Sequence, residues 1–368
     1  MPIELAARKA AVLGSVESML AAGDADTTGE VDIRREVFMG INLSPLGAHS
    51  MRVPGEYGVE ELAGHFNLPR LAGAINAAQQ GGLDFVALKQ DFHIQAAAEQ
   101  ATRGEDSSLD KQLVVGAQRP ASGNFATGRQ PIASKQSANF LDGLKAAAQL
   151  QDLIPPATLA VEIPLAAASK VFSNPALDLK SCREILLPLS AADFPSAEQL
   201  AGFARGAVAR KVQLSAVITE AELLQNKSSL LSKYFQAVWC RSADIEGIRR
   251  GRISLQQERE KNSAPLPIIL ELGVVISATL RAAEERLVLI EQLTQRPAFS
   301  DIAAVIGTVY DAAYQIEDYI KRGVADGIVF RPASLPTDLA SIMRGVLPLL
   351  QERAKGQKDL PLFRYQRS

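Results

Sequence analysis

SAEQLAGFARGAVARKVQLSAVITEAELLQNKSSLLSKYFQAVWC, running from Ser196 to Cys240, holds one pattern twice over. Ser196–Arg210 has the apolar spacing of a helix, and Val212–Ile218 is an apolar run of strand length. Glu220–Ser232 returns to helical spacing, and Phe235–Cys240 is a second apolar run. Neither strand sustains an alternation of apolar and polar residues, since Ala216-Val217-Ile218 and Ala237-Val238-Trp239-Cys240 are uninterrupted. Such runs suit a parallel sheet covered on both faces, in which each strand is followed by a helix.

The pattern extends in both directions. Upstream, Val37–Leu43 reads as a strand, followed by a loop over Ser44–Tyr57, a helix over Phe66–Gln80 and a strand over Leu83–Leu88. Ala138–Gln151 reads as a helix, Thr158–Ile163 as a strand and Ile185–Leu189 as a short strand. Downstream come a charged helix, Ile245–Lys261, a strand, Pro267–Val275, and helices over Thr279–Leu293 and Tyr310–Arg322. Gly327–Phe330 is the last strand and Leu339–Ala354 the last helix. An N-terminal helix over Ile3–Ala22 and a polar surface excursion over Glu99–Ser137 lie outside the alternation. No composition shift marks a boundary, so residues 1–368 are expected to form a single domain. Regular βα alternation of this length fits a (β/α)₈ barrel or an open doubly wound sheet. No G-x-G-x-x-G follows the first strand and no G-x-x-x-x-G-K-[ST] occurs, which favours the barrel.

Composition narrows the function. The chain is 47% hydrophobic and 22% charged, ordinary globular material. Lys and Arg number 39 against 41 Asp and Glu, a formal charge of -2, without the basic excess of a nucleic-acid binder. Aromatic residues are 5% of the chain, with one Trp, too few for a single-strand stacking platform. Cys182 and Cys240 have neither metal-ligand nor disulfide-framework spacing, and His49, His65 and His93 are too scattered for a zinc site. Met1–Leu20 carries charges through its apolar stretch, unlike a secretory signal. The longest apolar run, Pro267–Leu280, contains Glu271 and is too short to cross a bilayer. A reduced, cytoplasmic protein with no membrane or nucleic-acid partner is expected.

In a barrel, active sites form at the C-terminal ends of the strands. That rule selects His49 after the first strand, then Lys89, Gln90, Asp91 and His93 after the second. It also selects Glu162, Arg241, Ser242, Glu271 and Arg331 at later strands. Each has a plainer role: the histidines as loop pins, Lys89 paired with Asp91, and Cys240 as core. Glu162 and Glu271 interrupt apolar strands, so if buried they need Lys89, Arg241 or Arg331 as partners. Arg331 is the leading anion-binding candidate, because barrel phosphate sites often use the final loops. The Arg249-Arg250-Gly251-Arg252 run is expected to be a solvated helix face.

Specific motifs lie at the two ends of the alternation. Ile306-Gly307-Thr308 is followed by a helix, Gly323-Val324-Ala325-Asp326-Gly327-Ile328-Val329-Phe330, Leu335-Pro336-Thr337-Asp338-Leu339 and Val346-Leu347-Pro348-Leu349-Leu350-Gln351-Glu352-Arg353. Near the start stand Gly47-Ala48-His49 and Gly82-Leu83-Asp84-Phe85-Val86-Ala87-Leu88. This set resembles the bacterial luciferase-like flavin-dependent monooxygenases, above all their nitrilotriacetate and alkanesulfonate monooxygenase branch. The likeness covers residues 36–95 and 234–353. It implies a (β/α)₈ TIM barrel, usually dimeric, that takes reduced FMN from a separate flavin reductase and oxidises a small organic molecule with O₂. Some relatives use F420 instead. It further implies that His49 or His93 bonds flavin or substrate, and that Lys89, Gln90, Asp91 and Glu162 lie in the flavin site. Arg331, or Arg241 with Ser242, would hold the phosphate.

The middle departs from the family. Strand two ends in Lys89-Gln90-Asp91 where a small or acidic residue, Asp, and Ser or Thr are usual. Ile163-Pro164-Leu165-Ala166-Ala167-Ala168-Ser169 replaces T-H-T-E-P-[FY]-H, and the G-R-x-G-W strand is missing. Two further readings follow: a cofactor-less barrel acting as a partner subunit or binding protein, and a Schiff-base lyase using Lys89.

Overall fold

The computed structural model describes residues 36–94, 141–258, 266–356 and 362–363, apart from 56, 57, 65 and 157. The expected N-terminal helix and the excursion over 99–137 lie outside the described residues.

Eight parallel strands close into a barrel. In chain order they are β1 (Glu36–Asn42), β4 (Phe85–Leu88), β5 (Leu159–Glu162), β6 (Cys182–Leu189), β7 (Gln213–Ile218), β8 (Ala237–Cys240), β9 (Ile268–Ile276) and β11 (Gly327–Pro332). Each pairs with the next, β11 lies between β9 and β1, and β8 closes on β9. β5 therefore faces β9 across the lumen, and β4 faces β8.

The strands are mostly apolar because both faces are buried. Val86, Leu88, Val161, Ile185, Leu187, Leu214, Leu270, Ile328 and Phe330 join the layer beneath the helices. Residues of the opposite parity, Phe85, Ala87, Ala160, Leu186, Val217, Trp239, Ile269 and Val329, fill the lumen. Phe85 and Trp239 meet there with centroids 5.4 Å apart. A Cβ on Gly40 would clash with the Phe85 ring, so β1 needs glycine opposite that side chain.

Helices wrap the outside: α1 (Leu68–Gln80), α2 (Asp142–Leu150), α3 (Leu165–Ser173), α4 (Ala197–Ala209), α5 (Glu222–Asn226), α6 (Ser228–Tyr234) and α7 (Ile245–Glu258). After β9 come α8 (Leu280–Thr294) and α9 (Val309–Lys321). α10 (Thr337–Ser341) and α11 (Leu347–Gly356) are joined by a π turn, and β12 (Leu362–Phe363) pairs with β1. α4 opens on a capping box in which Ser196 accepts from Gln199 N and Gln199 accepts from Ser196 N.

Several sequence expectations need correction. The Ser44–Tyr57 loop contains a strand, for β2 (His49–Gly55) pairs antiparallel with β3 (Gly58–Gly64). Its Pro54-Gly55 marks the hairpin tip rather than a continuous loop. The Glu220–Ser232 helix is two, because Lys227 (φ -124°) leaves the helical region. β6 starts at Cys182, ahead of Ile185, and pairing with β5 passes from Cys182 to Glu184, making Arg183 a bulge residue. α3 was not foreseen, nor was β10 (Ala303–Gly307), which pairs with the C-terminal half of β9. Within the Arg249–Arg252 run, Arg252 is buried, 2.8 Å from Asp326. Among the described residues no helix is long and apolar enough to cross a membrane.

Candidate active site

The lumen is bridged near its C-terminal end by four charged side chains. Arg241, one residue past β8, donates Nη2 to Glu162 at 2.7 Å and Nε to Glu271 at 2.8 Å. Lys89, one residue past β4, donates Nζ to the other oxygen of Glu271 at 3.2 Å. Register explains the meeting: Leu88 pairs with Val161 and Cys240 with Leu270, so Lys89 stands level with Glu162 and Arg241 with Glu271. The two pairs rise from opposite walls and bond across the lumen. Side-chain exposures of 11% for Arg241, 10% for Lys89, 4% for Glu162 and 3% for Glu271 make this a buried, charge-balanced floor.

The charges support one another. Burial alone would raise the Glu271 carboxyl, but Arg241 and Lys89, with Arg331 beyond, more than offset it and hold the group below its ordinary range. Burial likewise opposes charge on Arg241, and its two carboxylates more than offset that too, raising its guanidinium. Lys89 thus finds its partner in Glu271, not in Asp91, which is exposed. This leaves Lys89 in a buried ion pair rather than as a free amine.

Beneath the floor lies a second polar group that the sequence reading missed. Glu184 accepts from Ser215 Oγ and from Trp239 Nε1 (3.2 Å), and burial raises its carboxyl despite Arg183 and those two bonds. Arg183 lays its guanidinium over Phe38 and Phe85, 5.5 and 5.2 Å from the ring centroids. A charged pair at the edge of the Ile185–Leu189 run was the available signal.

Above the floor, Arg331 shares the lumen-facing parity of Val329, one step higher. It lies 3.0 and 3.2 Å from the two oxygens of Asp301, which is half-exposed. Phe299 packs so close to Gly273 that a Cβ there would meet its ring at 2.5 Å. Ser44 Oγ accepts from Lys89 N at 2.7 Å, tying the loop after β1 to the end of β4. Ser242 Oγ accepts from Asp244 N at 3.1 Å and so shapes the entry to α7.

The remaining expected residues sit at the rim. Gln90 is half-buried and His93 lies in the loop after β4. His49 opens β2, and its side chain is outside those described. Cys240 is buried in the outer layer, its thiol pushed up to about 12 by burial, in keeping with core packing. Lys89, Glu162, Glu271 and Arg241 thus converge, with Arg331 one layer above. Ser242 and Asp91 are occupied or turned outward. Among the described residues no three metal-ligating side chains cluster.

The chain matches no protein-family model, and no curated protein matches it in sequence. Solved structures do resemble it. A long-chain alkane monooxygenase superposes with a TM-score of 0.55 at 10% identity, over 91% of this chain and 94% of that one. EDTA monooxygenase from Chelativorans sp. BNC1 gives 0.52 at 12% identity, over 88% and 95%. A riboflavin lyase, solved with a modified FMN and its substrate riboflavin, gives 0.51 at 11% identity, over 90% and 94%. At these identities the likeness shows the fold, and that fold is the (β/α)₈ barrel.

Proposed function

We propose that this chain is a luciferase-like flavin-dependent oxidoreductase, binding reduced FMN over the floor of the barrel mouth and oxidising a small organic molecule with O₂. F420 is the alternative cofactor. A separate flavin reductase would supply the reduced FMN, and the working form would be a homodimer. The end motifs of the sequence support this reading, as do the names of the superposed monooxygenases and the FMN in the riboflavin lyase.

The observation that carries it is the donor set on the floor. Among the described residues Lys89 Nζ bonds only to Glu271, and Arg241 Nη1 has only a 3.5 Å contact with Glu162. Both cations keep N–H groups beyond those bonds, fixed in place by two buried carboxylates. Such donors fit the carbonyl and ring-nitrogen edge of a flavin. The phosphate falls to Arg331, whose partner Asp301 is half-exposed. Exposed pairs of this kind contribute about 0–1 kcal/mol, so a dianionic phosphate can compete for the guanidinium. When bound, the flavin supplies the redox chemistry, while the protein orients it and excludes water.

Binding of FMN and riboflavin to wild type and Arg331→Ala tests the assignment. Loss of a charge-assisted contact should weaken FMN about tenfold or more and leave riboflavin unchanged. Equal FMN affinity in both proteins would remove Arg331 from the site.

One observation favours a second reading, the cofactor-less partner subunit. Lys89, Arg241 and Arg331 are each already paired with a carboxylate, which a barrel emptied of cofactor would need for its own stability. Stable co-purification with a motif-complete homologue would support that reading, and flavin turnover by the isolated chain would refute it.

A further inference from the structure

His93 stands where three parts of the rim meet. Its carbonyl accepts from Ala48 N at 2.6 Å, in the connection after β1. A Cβ on Gly47 would lie 2.9 Å from that same carbonyl, so the two loops touch. The next residue, Ile94, donates its N–H to Asp142 Oδ2 at 3.1 Å. Asp142, the first residue of α2, is buried, and its other oxygen accepts from Lys145 Nζ at 3.2 Å. Those two bonds keep the carboxylate from turning away.

The imidazole is divided between two environments. Its Nδ1 is buried and, among the described residues, without a hydrogen bond, 3.9 Å from Asp142 Oδ2. The side chain as a whole is 40% exposed. A buried ring nitrogen without a partner is uncommon, and a carboxylate can only accept. An approach of about 0.7–1.1 Å would bring the 3.9 Å pair to hydrogen-bond length, and the bond then requires the proton on Nδ1. Catalytic hydrogen bonds are often this loose before substrate arrives.

We propose that Asp142 is a positioning residue for His93. Its carboxylate holds the imidazole as the Nδ1–H tautomer, so that the Nε2 lone pair is the proton acceptor at the mouth. This rests on the reading that the mouth binds a substrate, and it names the class: a molecule with an ionisable O–H or N–H. The proton leaves that group for Nε2 and its electron pair stays on the substrate atom. The Nδ1 proton stays on the ring, and the imidazolium that forms is stabilised by Asp142. Nε2 then returns its proton to the product or to water.

The test needs no cofactor. The chain has three histidines, so long-range ¹H–¹⁵N spectra of the full-length ¹⁵N-histidine protein, with His93→Gln to assign the signal, give the tautomer directly. At mildly alkaline pH, wild type should show a protonated Nδ1 and an unprotonated Nε2. Asp142→Ala, which removes the acceptor, should move the proton to Nε2, the commoner tautomer of an unrestrained imidazole. An Nε2–H tautomer in wild type overturns the proposal even if Asp142→Ala fails to fold. An unchanged tautomer in Asp142→Ala also overturns it, and leaves Asp142 as a clamp on Ile94. Full turnover by His93→Gln in a flavin-binding chain removes the acid–base role. Failure of flavin binding with the tautomer as stated discards the oxidoreductase reading and keeps Asp142 as the residue that orients His93.

Discussion

Replacing Arg241 by methionine removes the hub of the lumen floor while keeping the length of its stem. Glu271 would retain Lys89 at 3.2 Å, whereas Glu162 would lose its only ionic partner among the described residues. With Glu162 4% exposed, an unpaired charge there falls in the range for breaking buried pairs, about 3–5 kcal/mol. Against a typical net stability of about 5–15 kcal/mol, that is a large fraction. Adding Glu162→Gln removes the stranded charge and should recover about 2 kcal/mol, within the usual range for coupled neighbours. Trp239, the chain's one tryptophan, lies two residues before Arg241 in the lumen and reports unfolding by fluorescence. With an m-value of about 3 kcal/mol/M, the urea midpoint of Arg241→Met should fall by about 1–1.7 M. The acid limb should change as well. Glu271 titrates below its ordinary value of 4.5 in the folded state, so its contribution is full above that pH and is lost as pH falls through the folded value. Arg241→Met should flatten that loss. A midpoint within about 0.3 M of wild type, or a Glu162→Gln effect that adds to the Arg241→Met loss, would refute the interdependence of the floor.

Three further outcomes follow from the packing. Burial raises the folded Glu184 carboxyl, so wild-type stability should fall as pH rises above the ordinary carboxylate range. The Glu184→Gln advantage should then grow from pH 4 to pH 8; urea midpoints that run parallel would contradict this. Gly40→Ala would drive a methyl into the Phe85 ring and should cost about 1–3 kcal/mol by thermal or urea unfolding, whereas an unchanged midpoint would show that Phe85 can move aside. Cys182 and Cys240 have thiols pushed up to about 12, by burial in both and also by Asp178 at Cys182, so neither should react with a disulfide reagent until the chain unfolds.

The sequence made the barrel legible because its strands are buried on both faces. Val212–Ile218 and Pro267–Val275 read as parallel strands for the reason that later placed one set of side chains under helices and the other in the lumen. Elements with weaker cores escaped. β10 pairs along one edge with half of β9, and its apolar run, Ile302–Ile306, is short and carries two alanines, which favour strands weakly. α3 is nine residues long and rich in alanine, too short for its periodicity to stand out. The β2–β3 hairpin hid behind its glycines and Pro54.

The site was legible in part for the same reason. Glu162 and Glu271 drew attention as acids inside apolar strands, and burial then required Lys89 and Arg241 as partners. Which cation meets which acid depends on register across the lumen, and that is absent from any local pattern. Asp142 was invisible because a first-turn acid on a helix is ordinary. Only the fold brings it to His93, 49 positions earlier in the chain.

The claim that the floor holds a flavin is tested most directly by anaerobic titration of the purified full-length chain with reduced FMN, followed by flavin fluorescence, with oxidised FMN and F420 as comparisons. Saturable micromolar binding of one of these, weakened in Lys89→Met, is the predicted result. Wild type that binds none of the three would contradict the oxidoreductase reading and leave the paired charges of the floor as the structural closure of a barrel that serves a partner.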